Sequence, residues 1–593
     1  MRVSVLKEIP EDPDLSEAWN TLVLAMDNPE VFFTYQWALA ASRGFQKHLT
    51  PLLLLIYDFD ELVGVVALAV DPKAPRSAFF LTSSTADYCD VVSAPANRRA
   101  VLLALLEETR KLGLNNLVLA NVPSTSTTLL ELPGVAGPQS FYVTSRAAYN
   151  CGVVQLEGSE QREGLLHSLA TKSREKRALK RLTDFGSVKV IHLTEPEQIG
   201  TSLESIVSAQ ISRFLASNRV SPLVGPERRT FLRHLSQLLS HSGWLKISQL
   251  EIDGQPVAWN YGFRFGGSWF WYLPTFEMEY QHVSPGSCLL RLLVEEGARD
   301  ASLRCLDLGL GDEPYKDRFA NSVRQTRYVH LSRGFPRHVV SLGRQMLNNM
   351  ATRFPQFGDK LRGARAFCQA VTGRVHEIGI ATIARQSIRK AVRSIASQDE
   401  VLLFEASADR ASDDPAIQLL PLTREHLVEA SILNAGDAKT LRYLMRCAHR
   451  LTKPDASGFT LQDEVGRPVH FLWINDYASF HLSEIDHTLE PCSPRAAMIF
   501  DCWTPAGDRG RGYYASAIRQ AAARLLCENK AAWIFSGANN VSSLRGIRKA
   551  GFAYRFSLVR RSQFGRAIVT RQDSTAAVDD AVASAPWRSS RIA

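Results

Sequence analysis

Three stretches of the chain share one pattern of apolar and polar positions. They read PLLLLIYDFDELVGVVALAV (51–70), WLKISQLEIDGQPVAWNYGF (244–263) and FTLQDEVGRPVHFLWIN (459–475). Each pairs two apolar runs around a short polar turn, which predicts a β-hairpin. Asp-Gly at 253–254 is a favoured two-residue turn because Gly tolerates positive φ. The copies lie roughly 200 residues apart, too far for a solenoid repeat, so they predict three related domains in tandem.

Each predicted hairpin is followed by a helix and then by another apolar strand. Apolar residues at helical spacing predict the helices, and short apolar runs predict the strands. The helices fall at 95–113, 284–302 and 510–530, and the strands at 115–122, 303–310 and 531–539. A hairpin followed by strand, helix and strand predicts an α/β (α+β) fold, with tandem domains that each have a mixed, partly antiparallel sheet and helices on both faces.

The chain is long enough for several domains. Its 593 residues are 45% hydrophobic and 22% charged, which is typical of globular proteins. We expect domains at 1–155, 156–333 and 401–570, joined through a basic helical linker at 334–400. Residues 571–593 are small and polar and are predicted to be disordered.

Charge and cysteine usage narrow the classes of protein. Between Arg333 and Arg393 there are 12 Lys/Arg and 2 Asp/Glu, so this segment accounts for the net charge of +9. The nine cysteines form no CxxC pair, which argues against a zinc ribbon or a disulfide framework and favours a reducing compartment. The acidic N-terminus and the absence of long apolar runs lead us to expect a cytoplasmic protein.

A glycine-rich basic loop stands between the apolar run at 496–503 and the helix predicted to follow it. Its residues are Arg509, Gly510, Arg511 and Gly512. Glycines let a ligand approach the backbone, and a helix N-terminus offers unpaired N–H groups and partial positive charge. This order of elements suits a pyrophosphate, although a solvated turn with two surface arginines is the alternative.

The segment that follows carries a resemblance to a known family. The sequence NNVSSLRGIRKAGF (539–552), together with the loop, resembles the GNAT superfamily of Gcn5-related N-acyltransferases. The resemblance implies that Arg509 to Gly512 bind coenzyme A pyrophosphate and that Asn540 meets the pantetheine arm. Two positions depart from the family pattern: Tyr514 replaces a Gly or Ala, and Ile547 replaces the Tyr that often serves as general acid. These departures favour CoA binding over turnover in this domain.

Residues 15–330 resemble the CelD-type acetyltransferase family, GNAT-like bacterial proteins associated with cellulose and other exopolysaccharide synthesis and structurally akin to FemAB-type transferases. The resemblance lies in LTSSTADYCDVV (81–92), the basic stretch at 172–181, and three motifs within 250–319. Those motifs are G-x-P-V-A, S-P-G-x-x-L-L and D-x-G-x-G-x-x-x-Y-K. The chain would then hold three GNAT-like units.

Candidate catalytic residues follow from these motifs. Asp307, on a predicted strand, is a candidate base, with hydrogen bonding to backbone as the alternative. Lys316 follows a Gly-rich turn and could instead pair with Asp312 or Glu313. Asp501 is a second candidate base, although carboxylates at strand edges are common. Gly286 and Ser287 open a predicted helix after Pro285 and could cap a phosphate without a neighbouring arginine.

These observations predict an acyltransferase that uses acetyl-CoA or another acyl-CoA and no metal. The expected acceptor is an amino sugar, a polysaccharide precursor or another small amine, and residues 1–155 would be structural or shape the acceptor side. The six Lys/Arg in 172–181 suit a solvated face, an acidic acceptor or CoA phosphates. The basic segment 333–393 could contact an anionic membrane surface or a polysaccharide-synthesis complex, and a nucleic-acid partner is disfavoured. Two alternatives stay open: a FemAB-like aminoacyl-tRNA-dependent transferase and a non-catalytic acyl-CoA-binding scaffold.

Overall fold

The computed structural model describes residues 1–334 except 172 and 312, then 338–339, 342–343, 396–407, 417–453, 456–490, 495–563 and 566–573. Most of the basic segment 333–393, Lys172 of the basic stretch and residues 574–593 of the predicted tail lie outside these ranges. The chain divides into two compact units. Unit 1 comprises Met1–Arg213 and Ser221–Lys360, and unit 2 comprises Phe214–Val220 and Leu361–Ala593.

The first half of unit 1 alternates strands and helices. Asp12 caps the first helix by accepting hydrogen bonds from the backbone N–H groups of Asp14 and Leu15, and Pro13 occupies its first position. The elements are β1 (Arg2–Leu6), α1 (Pro13–Leu24), α2 (Tyr35–Phe45), β2 (Thr50–Asp58), β3 (Glu61–Val70), β4 (Ser77–Phe80), α3 (Arg98–Lys111), β5 (Asn116–Pro123), α4 (Thr127–Ala136) and β6 (Tyr142–Gln155).

The second half adds two helices and then repeats the series. Asp253 (φ 49°) and Gly254 (φ 79°) form the tight turn of its hairpin, as the Asp-Gly pair predicts. The elements are α5 (Ser159–Thr171), α6 (Ser173–Thr183), β7 (Val188–Leu193), α7 (Pro196–Ala216), α8 (Pro226–Leu239), β8 (Leu245–Ile252), β9 (Gln255–Phe265), β10 (Ser268–Phe276), α9 (Pro285–Arg299), β11 (Cys305–Leu310) and β12 (Ser322–Ser332).

The two halves of unit 1 share one 12-stranded sheet by exchanging their last strands. The strand order is β1-β2-β3-β4-β5-β12-β6-β11-β10-β9-β8-β7. The last strand of the second half therefore lies between β5 and β6, and β6 in turn lies beside β11. The antiparallel β6–β12 pairing runs from Ser322 opposite Val153 to Ser332 opposite Tyr142. Neither half completes its sheet without the other.

Unit 2 has the same series of elements in an eight-stranded sheet. The elements are β13 (Ala396–Ala406), β14 (Leu419–Pro421), α10 (Arg424–Leu433), α11 (Ala438–Arg450), β15 (Ser457–Gln462), β16 (Pro468–Asp476), β17 (His481–Leu482), β18 (His487–Thr488), β19 (Ala496–Trp503), α12 (Tyr513–Cys527), β20 (Ala531–Gly537), α13 (Val541–Lys549), β21 (Phe552–Gln563) and β22 (Arg566–Asp573). The strand order is β14-β15-β16-β19-β20-β13-β21-β22, with β13 in the place that an exchanged strand takes in unit 1.

Alternating side chains of the unit 2 strands form two cores, one on each face of the sheet. Ile499 and Ile534 belong to the core that includes residues of α12 and α13. Their neighbours Met498 and Trp533 belong to the opposite core, together with side chains from the segment 477–489. The predicted fold class, tandem domains with mixed sheets and packed helices, is confirmed. Among the described helices, none is long and apolar enough to cross a lipid bilayer.

Candidate functional site

A cavity of about 900 Å³ opens where two parallel strands of unit 2 separate. The pairing of β19 with β20 runs from Ala496–Ala531 to Ile499–Ile534 and, in the described part of the chain, ends there. Beyond it β19 bulges against β16, and Asp501 takes a positive φ of 47°. The cavity walls include His470, Glu484, Phe500, Cys502, Tyr514, Phe535, Asn540, Ser543 and Lys549.

The predicted phosphate loop lies at this cavity. Gly510 (φ 81°) and Gly512 (φ 85°) both take the left-handed conformation that favours glycine, and Gly512 is the N-cap of α12. Arg509 lines the cavity, and its Nε donates a hydrogen bond of 3.1 Å to the carbonyl of Thr504. Arg511 is exposed and is absent from the described cavity walls. The loop therefore presents one anchored guanidinium and the free N–H groups of a helix start.

Lys549 adds a cation that the sequence motif did not predict. It lies in the last turn of α13, and its Nζ is 4.0 Å from the position that a Cβ on Gly512 would take. The predicted phosphate loop therefore has one cation of its own at the cavity, Arg509, and a second beside it from α13. The Arg-Lys pair just before Gly551-Phe552 was a signal in the sequence, but its distance from the loop could not be read without the packing of α13 beside α12.

Asn540 lines the cavity as the N-cap of α13. Its Oδ1 accepts hydrogen bonds from the backbone N–H of Ser543 (3.3 Å) and from the hydroxyl of Ser542 (3.0 Å). Among the described residues its Nδ2 has no hydrogen-bond partner, so the amide can still donate toward a ligand. The pantetheine contact implied by the family resemblance stays a prediction.

Tyr514 occupies the position where the family pattern expects a small residue. Its hydroxyl lies 2.9 Å from Ser543 Oγ, and burial raises the pKa of its phenol. A Cβ on Gly546 would lie 2.3 Å from Tyr514 Cδ1. The glycine of α13 therefore leaves room for the tyrosine ring of α12. Ile547, at the family's general-acid position, is fully buried in the core. Tyr514 therefore places a phenol hydroxyl at the cavity, where it is hydrogen-bonded to α13.

Asp501 stands in an ion pair on the bulge of β19. Its Oδ2 is 2.8 Å from Arg450 Nη1, and its carbonyl accepts a hydrogen bond of 2.8 Å from the hydroxyl of Tyr443. Arg450 in turn lies over the ring of Trp473, with its Cζ 4.6 Å from the centroid. The carboxylate lines the cavity but is already charge-balanced, and its role as base stays a prediction.

His470 is a buried cavity residue that the sequence did not single out. Its Nδ1 lies 2.8 Å from Thr504 Oγ1, while its Nε2 is buried without a partner in the described ranges. Burial lowers the pKa of His470 to about 3, so the imidazole is neutral at physiological pH. A single histidine on an apolar strand gives no sequence signal for this environment.

The predicted residues of unit 1 lie in a buried polar cluster. Asp307 is fully buried and accepts hydrogen bonds from Tyr88 (2.8 Å), the Gly309 backbone N–H (2.9 Å) and Arg324 (3.0 Å). Lys316 Nζ is 2.8 Å from Glu313 and donates to the Leu310 carbonyl at 2.8 Å. The structure therefore contains the two alternatives to catalysis, a backbone hydrogen bond to Asp307 and an ion pair between Lys316 and Glu313. Their catalytic roles stay predictions, and Asp312 lies outside the described residues.

Two carboxyl groups from the first half of unit 1 join this cluster and were not predicted. Glu30 Oε1 is 2.7 Å from Arg324 Nη2, and its Oε2 is buried without a described partner. Burial raises the pKa of Glu30 to about 7, against the opposing charge of Arg324. Burial, with the nearby charge of Asp307, also raises the pKa of Asp87 to about 7. The cluster therefore holds two carboxyls that titrate near neutral pH.

Gly286 and Ser287 begin α9, after Ser284 in the left-handed conformation (φ 57°). Both are half-buried, and a Cβ on Gly286 would lie 3.3 Å from the ring of Phe276. They belong to unit 1, whereas the loop at 509–512 belongs to unit 2. Within the described ranges no three His, Cys, Asp or Glu side chains are placed to hold a metal ion.

The family model of the acetyltransferase (GNAT) domain matches residues 170–317, in the second half of unit 1. This match confirms the prediction of a GNAT acetyltransferase domain, and the chain is an acyltransferase on this ground. Domains of this kind use acyl-CoA. The match covers about a quarter of the chain, and the narrower CelD-type resemblance stays a prediction. No curated protein sequence matches the chain.

Several solved structures share parts of the fold at low identity. A conserved protein of unknown function from Bacteroides thetaiotaomicron is 12% identical over 56% of this chain and 100% of its own, with a TM-score of 0.40. FemX is 11% identical over 56% of this chain and 97% of its own, with a TM-score of 0.39. A tandem GNAT protein from the clavulanic acid biosynthesis pathway is 12% identical over 55% of this chain and 98% of its own, with a TM-score of 0.30. At these values the likeness assigns no function.

Proposed function

We propose that this protein transfers an acyl group from acetyl-CoA, or another acyl-CoA, to the amine of a small acceptor. The acceptor would be an amino sugar, a polysaccharide precursor or a similar amine used in bacterial exopolysaccharide synthesis. The observation that carries the proposal is the cavity between the diverging ends of β19 and β20, with a positively charged glycine loop beside it. The acceptor class and the pathway rest on the family resemblance alone.

The loop suits the diphosphate of coenzyme A. Gly510 and Gly512 leave the backbone open, because no other atom lies within 4 Å of a Cβ on Gly510 and only Lys549 Nζ comes that near to Gly512. The first N–H groups of α12 and the positive end of its dipole favour an anion there. The side chains of Arg509 and Lys549 add two positive charges, which match the two negative charges of a diphosphate.

The reaction needs little from the protein beyond positioning. The acceptor nitrogen attacks the thioester carbonyl, a C–N bond forms, the C–S bond breaks, and CoA leaves as a thiolate. The nitrogen gives up one proton in the process. Past Ile499 the N–H groups on the open edge of β19 are not paired with β20 in the described structure, so they are available to the developing oxyanion.

Calorimetric titration of acetyl-CoA into the full chain tests the donor site. We expect Arg509→Ala and Lys549→Ala each to weaken binding by roughly tenfold or more, because each removes a charge-assisted contact. Arg561→Ala, which removes an exposed arginine of β21 away from the cavity, is the matched control and should bind normally. Arg511→Ala measures the exposed arginine of the loop separately.

Two results would contradict the proposed donor site. If both variants bind acetyl-CoA as the unmodified chain does, the donor site lies elsewhere, with the Gly286 loop of unit 1 as the next candidate. If the unmodified chain does not bind acetyl-CoA, the proposal loses its support.

A non-catalytic role as an acyl-CoA-binding scaffold is the second candidate for unit 2, and the buried Ile547 favours it. Product formation from acetyl-CoA and glucosamine, measured as free CoA, distinguishes the two functions. Binding of acetyl-CoA without release of CoA from any of a panel of primary amines would support the scaffold.

We also propose that the protein works in the cytoplasm and contacts anionic membranes through the basic segment 333–393. The high density of Lys and Arg in this segment supports the proposal. Sedimentation with phosphatidylglycerol vesicles, compared with phosphatidylcholine vesicles, tests it. Equal sedimentation with both would contradict it.

A further inference from the structure

The cavity of unit 2 reaches both faces of the sheet. Tyr514 and Gly546, which line it, come from the helices on one face. Phe500 and Phe535 also line it, and they pack against the core of the opposite face. Glu484, from the segment that covers that opposite face, completes the lining. The gap between β19 and β20 is therefore a passage through the sheet.

The two sides of this passage carry opposite charge. On the side of α12 and α13 the lining contains three cations, Arg509, Arg545 and Lys549, and one carboxylate, Asp508. On the other side Glu484 is exposed and makes a hydrogen bond only to the neighbouring Ser483 hydroxyl, at 3.3 Å, among the described residues. The described structure gives this carboxylate no ion pair. An anionic group belongs on the first side and a cationic group on the second.

Two phenylalanine side chains, Phe500 and Phe535, line the cavity with Glu484, and a third, Phe480, packs against both. The ring of Phe480 lies 5.0 Å from that of Phe500 and 5.9 Å from that of Phe535, measured between centroids. Arg450 already lies over Phe500, at 5.2 Å, but its charge is balanced by the ion pair with Asp501. Aromatic faces next to a carboxylate attract cations, and most strongly those that shed water readily.

We propose that Glu484 and this group of phenylalanine rings recognise the protonated amine of the acceptor, on the face opposite the donor phosphates. This inference rests on the proposed acyltransferase function and deepens it. It specifies a cationic amine and disfavours a neutral hydroxyl acceptor. Glu484 is assigned to binding: the carboxylate holds the ammonium, which releases one proton to solvent before the nitrogen attacks the thioester. After the attack the nitrogen loses a second proton, which the departing CoA thiolate takes up.

The test uses the full chain saturated with CoA and two small probes of equal length, n-butylammonium chloride and 1-butanol. Saturation-transfer NMR titrations give their dissociation constants. We expect butylammonium to bind, butanol to bind at least tenfold more weakly, and Glu484→Gln to weaken butylammonium binding about tenfold. Glu490→Gln, the same change at an exposed position six residues away and outside the described cavity lining, should have no effect.

Three results would overturn the inference: no binding of butylammonium, equal binding of the two probes, or equal binding to Glu484→Gln and the unmodified chain. An acetyl-CoA titration of Glu484→Gln separates this inference from the proposed function. Normal acetyl-CoA affinity with weakened butylammonium binding supports both. Absence of acetyl-CoA binding by the unmodified chain refutes the donor proposal. In that case, titration of the two probes into protein without CoA still tests the amine site.

Discussion

Replacing Gly546 by alanine is the most direct test of the arrangement between α12 and α13. A Cβ at this position would lie 2.3 Å from Tyr514 Cδ1 and 2.6 Å from Cε1. Atoms cannot approach so closely, so either the ring or the helix must move. The Tyr514 ring also contacts His470, at 5.7 Å between centroids, and its hydroxyl lies 2.9 Å from Ser543 Oγ. The added methyl therefore forces a strained packing.

The expected cost is the difference between two opposing effects. Overpacking of a well-packed site typically destabilises a protein by about 1–3 kcal/mol. The gain in helix propensity from Gly to Ala offsets about 0.5–1 kcal/mol of this. Because the overlap falls on ring carbons next to the helix backbone, the steric cost wins. We expect the free energy of unfolding of unit 2 to fall by about 1–2 kcal/mol.

Amide hydrogen exchange in the full chain measures this loss unit by unit. Peptides covering β19 and β20 report on unit 2, and peptides from unit 1 should be unchanged. Gly164→Ala in α5 is the control, because a Cβ there meets no other atom within 4 Å. It should stabilise its own helix by about 0.5–1 kcal/mol.

The sign of the effect should depend on residue 514. With Tyr514→Ala already in place, the ring that holds the three atoms nearest to the added Cβ is gone, so Gly546→Ala should become stabilising by about 0.5–1 kcal/mol. A Gly546→Ala variant that is as stable as the unmodified protein, or a destabilisation that persists in the Tyr514→Ala background, would refute the reasoning.

Two further predictions concern pH. The pKa of Glu30 is about 7 in the folded protein and 4.5 ordinarily, so the folded state keeps a proton that the unfolded chain releases. Unit 1 should therefore lose stability as pH rises from about 4.5 to 7. In hydrogen-exchange experiments Glu30→Gln should flatten this decline. The pKa of His470 is about 3 when folded and 6.5 ordinarily, so unit 2 should lose stability as pH falls below about 6.5, and His470→Phe should remove that part of the acid sensitivity. Unchanged pH profiles in these variants would contradict the respective assignments.

Features that depend only on residues close together in the chain could be predicted from the sequence. The Asp-Gly turn at 253–254, the three hairpins and the helices after them follow from local periodicity and turn chemistry. The loop from Arg509 to Gly512 was also placed correctly between a strand and a helix, because its glycines and the helix start lie next to each other in the chain.

The sequence by itself therefore determined the element types, the threefold repetition and the position of the glycine loop at 509–512, because these depend on local periodicity and turn chemistry. Only the tertiary structure decided the exchange of β6 and β12, the ion pair of Arg324 with Glu30 across 294 positions, and the approach of Lys549 to Gly512. It also placed Glu484 on the far side of the passage through the sheet. Such contacts depend on which strands pair and which helix faces meet. No single segment selects these arrangements, because they are selected by the burial of apolar surface across the whole unit.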